Sequence, residues 1–266
     1  MASAGSRKAR AAIAARADFG DENCVRSLVA NVGAYWLQHV LVLAAAFVTS
    51  PIAVHLLGPE AYGLWTLLVS ASAVLALLDL GLHASIVRSV SRHVARGDEA
   101  AAQEAFASAT VLLAKLGGLA FMLLVLASGP LARALAPAGL APERLQGVLC
   151  ILALDLALGV LGSAYLAALS ALQRFVPSSL ATGFVALVRA VALVWVLRSG
   201  GGLVGIACTQ LGGTLLKHGA HFVLLRRSAP YLRMRWRAAS PGASRGYRLP
   251  CRAASAARSE YSPRCL

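Results

Sequence analysis

An all-α polytopic membrane bundle is the fold class this sequence predicts, and three observations carry the reading. Of 266 residues 58% are apolar and only 14% are charged, with a mean hydropathy of +0.70. A soluble domain is nearer half apolar and a quarter charged. The apolar residues gather into six runs, each close to the ~20 residues a helix needs to cross the hydrocarbon core. The basic residues stand between those runs, mostly on alternate sides, which is the pattern of positive-inside topology. A nucleic-acid binder would instead carry its formal charge of +14 as a basic face on a soluble fold, so nucleic acid is excluded as a partner.

Residues 1–30 are Ala-rich and hold Arg7, Lys8, Arg10, Arg16 and Arg26. They contain no apolar stretch of the kind a secretory signal needs, and are expected to form a cytoplasmic tail. The bundle is expected over 31–237, with spans near 32–57, 62–87, 106–128, 146–169, 179–197 and 203–225. Pro51 should kink the first span by removing a backbone donor. The second runs from a Gly58-Pro59 turn, past the aromatic shoulder of Tyr62 and Trp65, to Arg88, Arg92 and Arg96. The outer loop 129–145, with three prolines, is expected to lie along the interface. Gly117-Gly118, Gly159, Gly162 and Gly212-Gly213 would let backbones approach closely, which supplies much of helix packing in lipid.

Six spans put both termini on one side. With the N-terminus inside, the inner segments hold 14 Lys and Arg against 3 in the outer loops, which sets the orientation in an inner (plasma) membrane. Trp36, Tyr62, Trp65, Trp195, Tyr231 and Trp236 fall near span ends, where an aromatic belt would sit. Residues 238–266 change abruptly to Ala, Arg, Ser and Pro without apolar periodicity. They are expected to be disordered, and resemble a wrong reading frame or an unrelated extension, so that the chain would be a truncated product.

Ionisable groups inside the spans are the informative residues, because each costs several kcal/mol unless it faces protein or water. They are Asp79, Lys115, Asp155, Arg189 and Lys217. Together they suit a polar cavity that receives a charged headgroup or relays a coupling ion; the plainer alternative is mutual pairing or snorkelling. His83 stands four residues after Asp79 on the same helical face, where the two would share a proton or a structural hydrogen bond. His218 and His221 lie one turn apart beside Lys217, but no further metal ligands accompany them. Five cysteines (24, 150, 208, 251 and 265) form no CxxC pair, so neither disulfide nor zinc follows. No HExxH, GxSxG, P-loop or GxGxxG stands in a credible setting. No catalytic residue, metal or cofactor is expected.

The segments GPEAYGLW (58–65), DLGL (79–82) and RSVSRHVARGD (88–98), followed by ALQRF at 171–175, resemble the oligosaccharide/polysaccharide flippase family. This is a branch of the multidrug/oligosaccharidyl-lipid/polysaccharide exporter superfamily. The resemblance implies two helix bundles around a central cavity that opens alternately to each side. It also implies a lipid diphosphate-linked glycan as substrate, with Asp79, Gln173 and Arg174 on family motif positions. Six spans would supply only the N-terminal half, so a second copy or a complementary half is the implied partner besides membrane lipid. The resulting expectation is substrate binding by Arg189, Lys217, Lys115, Asp79 and Arg174, and ion coupling by Asp79, His83 and Asp155. The rival readings are a multidrug/cation antiporter-like half, which predicts a more acidic cavity, and a non-transporting scaffold subunit, for which the intramembrane charges would be dispensable.

Overall fold

The computed structural model describes residues 3–76, 80–135 and 141–232, and among these the chain forms seven helices. They are α1 (Ser3–Leu57), α2 (Pro59–Ala76), α3 (Leu80–Ala95), α4 (Glu99–Leu135), α5 (Pro142–Ala171), α6 (Phe175–Arg198) and α7 (Gly202–Ser228). Within α1 the stretch Leu28–Leu57, together with α4, α5 and α6, is long and apolar enough to cross a membrane. The expected second span covers parts of α2 and α3, with 77–79 outside the described residues. The 238–266 tail also lies outside them.

Local chemistry explains most boundaries. Gly58 takes φ +84°, the left-handed turn that ends α1, and Pro59 then opens α2, where its missing N–H leaves nothing unsatisfied. Gly97, at φ +72°, ends α3, and the Asp98 carboxylate accepts the Ala101 N–H at 3.0 Å to cap α4. The proline-rich connection expected over 129–145 is shorter than the sequence suggested. Helix α4 runs on through Pro130 to Leu135, and Pro142 sits in the first turn of α5, the position a helix tolerates best.

The core is built from α4, α5 and α7, with α3 against α4 and α5, and with α6 joining α7 to α1. Gly117 lets α4 approach α5 so closely that a Cβ there would meet the Ala157 carbonyl oxygen at 3.0 Å. The ends of the bundle differ. Ile86, Val90, Ala102, Phe106, Leu169, Leu172, Leu225 and Leu232 form one packed cluster, which gathers the C-terminus of α3, the α5–α6 turn and the C-terminus of α7. Arg88, Arg92, Arg96, Arg174, Arg226 and Arg227 therefore belong to this same end. At the opposite end, smaller clusters join the α1–α2 turn, the end of α4, the start of α5 and the α6–α7 turn.

Candidate functional site

A cavity of about 340 Å³ opens between α1, α2, α6 and α7, in the half of the bundle away from the arginine-rich end. Its wall is mixed. Val42, Val69 and Leu193 are apolar, while Thr49, Ser50, Thr66, Ser70 and Thr209 carry hydroxyls, and Arg189 and Gln210 bring a charge and an amide. Tyr62 and Trp65 line this cavity and pack on Ala53, Leu197 and Ile206 at the end away from the arginine-rich cluster. Trp36 and Trp195 are exposed.

Three of the expected charged residues converge behind and beside this space. Arg189 Nη1 donates to Gln210 Oε1 at 2.7 Å, and Gln210 Nε2 donates to Asp155 Oδ2 at 3.2 Å. One polar chain thus joins α6, α7 and α5. The second carboxylate oxygen, Asp155 Oδ1, is buried without a partner. Lys217, two turns after Gln210 on α7, is electrostatically coupled to both Asp155 and Arg189. The Arg189 stem lies over Gly213, where a Cβ would come within 2.7 Å of its Cδ, so a glycine is what admits that side chain.

Further along α7, His221 is fully buried and its Nε2 lies 3.2 Å from Thr182 Oγ1. The Thr182 hydroxyl also lies 2.9 Å from the Ser178 carbonyl oxygen, within hydrogen-bond reach of both groups. His218 rests on Gly162 of α5 with no room for a Cβ between them, and it borders a second space of about 190 Å³ with Tyr165 and Phe222. Among the described residues no group of three metal-ligating side chains occurs.

The remaining expected residues lie elsewhere. Lys115 is on an exposed face of α4 and Arg174 is in the α5–α6 turn at the arginine-rich end, neither on the cavity wall. His83 is half-buried near the start of α3. Asp79, and with it the proposed pair with His83, lies outside the described residues. Sequence reasoning passed over Gln210, although it stands seven residues before Lys217 and so shares its helical face.

A family model described as polysaccharide biosynthesis protein matches residues 28–236. None of the curated proteins matches. Among solved structures, a MATE crystallised with MaD3S aligns with a TM-score of 0.67 at 18% identity, over 82% of this chain and 49% of that one. An outward-facing multidrug-resistance MATE transporter of the MOP superfamily gives 0.67 at 19%, over 82% and 48%. A MOP-superfamily transporter from Pyrococcus furiosus, whose binding pocket is described as of reverse polarity, gives 0.66 at 18%, over 82% and 48%. The chain therefore has the fold of one part of these transporters and spans about half their length.

Proposed function

We propose, from the premise that the chain belongs to the polysaccharide biosynthesis protein family, that it forms one bundle of a membrane transporter for a lipid-linked oligosaccharide. It would lie in the inner (plasma) membrane with both termini in the cytoplasm. The observation that carries this reading is the cavity wall, where Arg189 is the cation and hydroxyls supply the remaining polarity. A guanidinium offers five N–H donors in a planar fork, suited to a diphosphate, and only one of them is engaged by Gln210. The acid of the region, Asp155, is not part of the wall, so the surface an arriving headgroup meets is cationic. Lys217 extends this positive character along α7. A multidrug cation would meet like charge there.

The chain's apolar outer faces fit the same reading. On α1 the side chains of Trp36, Leu43 and Phe47 are exposed, and on α6 so are Phe184, Val191 and Trp195. Such surface is stable against lipid or against a second bundle. A cavity between repeats needs walls from both, so the partner would be a complementary half or a second copy.

The test is binding of farnesyl diphosphate, a short lipid diphosphate, to the full chain in detergent. R189Q is expected to weaken binding at least about tenfold, the usual scale for losing a charged hydrogen-bond donor. Arg198, exposed at the end of α6, serves as a control, and R198Q should bind as the parent does. Equal binding by R189Q and the parent would remove the anion-site reading. Accessibility of cysteines placed at Arg92 and Arg198 checks the orientation, the first expected inside and the second outside.

A further inference from the structure

The Gln210 amide has no task in the reading above, yet it stands between two opposite charges. Its carbonyl accepts from Arg189 and its NH₂ donates to Asp155. Those charges fix the sense of the amide, because reversal would oppose donor to guanidinium and carbonyl to carboxylate. Arg189 and Gln210 belong to the cavity wall and Asp155 does not, so the amide is the connection between the cavity and the acid behind it. The acid also keeps one buried oxygen, Oδ1, without a partner. The other charged or titratable groups around it are Arg189 on α6 and Lys217 on α7, both electrostatically coupled to Asp155. His218 follows on α7 against Gly162, and Lys115 lies on the exposed face of α4.

We propose that Gln210 is a positioning residue that ties Arg189 to the protonation state of Asp155, so that proton uptake by Asp155 frees Arg189 to hold an anion in the cavity. The inference rests on Arg189 being the anion-binding cation proposed above. With Asp155 ionised, the carboxylate orients the amide and the amide keeps one guanidinium N–H from the cavity. A proton delivered from cavity water to the carboxylate removes that charge, and the amide loses the anchor that set its sense. The N–H held by Gln210 is then released to the cavity, where it completes the guanidinium fork. An anion that captures Arg189 there favours the protonated acid by the same free energy, since coupling between two sites is reciprocal.

Calorimetric titration of the full chain in detergent with farnesyl diphosphate tests this, run at one pH in two buffers of different ionisation heat. The buffer dependence gives the protons taken up per probe bound, and comparison with D155N cancels the probe's own protons. The parent is expected to take up about one proton more than D155N at a pH where Asp155 is ionised before binding. Q210L keeps both charges but removes the amide; it is expected to bind within about threefold of the parent and to lose most of the extra proton uptake. Q210N, whose amide is one methylene too short to reach both partners, is expected to do the same and stands in if Q210L does not fold. A parent and D155N with equal counts, or Q210L and Q210N that keep the extra proton, overturn the proposal while leaving Arg189 as the anion site. Undiminished binding by R189Q overturns both.

Discussion

At the arginine-rich end of the bundle, Ala102, Ala164, Ala167 and Ala168 are wholly buried, and α3, α4, α5 and α7 close over them. In the other half, Ala45, Ala46, Ala186 and Ala190 border an open cavity. The same small residue thus seals one region and hollows the other. What differs is the company it keeps. At the sealed end Phe106, Leu113, Leu169 and Leu225 fill the space that alanine leaves. In the hollow half Thr49, Ser50, Thr66 and Ser70 are too short to fill the space that Tyr62, Trp65 and Leu193 leave between them. In lipid, where apolar surface gains little by leaving the solvent, packing rather than hydrophobicity separates core from cavity.

The sharpest way to break this comparison is to delete volume on each side of it. Phe106 is almost fully buried against Tyr165, with ring centroids 6.1 Å apart. Phe106→Ala leaves a hole of roughly 100 Å³, and a cavity term of about 24 cal/mol per Å³ makes that a loss of about 2 kcal/mol. No water-to-protein transfer term is added, because the displaced surface faces lipid when the bundle opens. Leu193→Ala, on the wall of a space already present, should cost less than about half as much. Unfolding by denaturant in one detergent compares them, and equal losses would mean that the cavity is closed in the working protein.

Gly213→Ala sharpens the comparison from the hollow side. Its new methyl would lie 2.7 Å from Arg189 Cδ, so the arginine stem must move off α7 and carry its guanidinium away from its place on the cavity wall. Binding of farnesyl diphosphate is expected to fall about fivefold, with stability changed by no more than about 1 kcal/mol. Gly212, one residue earlier, meets nothing within 4 Å, so Gly212→Ala is expected to leave binding unchanged. Identical behaviour of the two variants would show that Arg189 does not depend on its seat.

The difference between the two glycines also marks how far the sequence could be read. Length, apolarity and charge placement sufficed for the fold, because a bilayer permits few alternatives to a helix. The same properties brought Asp155, Arg189 and Lys217 forward, since charge inside a span needs a reason. Gln210 escaped because a neutral amide raises no such alarm, though it is what joins two of those charges. Lys115 was as conspicuous in sequence as Lys217, and only the rotation of α4 turns it outward. Rotation about a helix axis depends on which neighbours it packs against, and a uniformly apolar span does not encode that. Gly212 and Gly213 are indistinguishable for the same reason.

The turn between α5 and α6 offers the smallest effect, at the sealed end. Every other positive φ among the described residues belongs to a glycine, whereas Gln173 takes φ 54° with a full side chain. Its N–H donates to the Ser170 carbonyl at 3.0 Å and the Arg174 N–H to the Leu169 carbonyl at 3.0 Å, so the turn is held by the end of α5 itself. A non-glycine residue in this conformation costs roughly 1 kcal/mol. Gln173→Gly relieves that strain and adds unfolded-state freedom, two terms of similar size and opposite sign, the first slightly the larger at a position already left-handed. The bundle should therefore gain a few tenths of a kcal/mol. A marked loss of stability instead would mean that the exposed Gln173 side chain makes a contact the protein needs, and that this end of the bundle does more than seal.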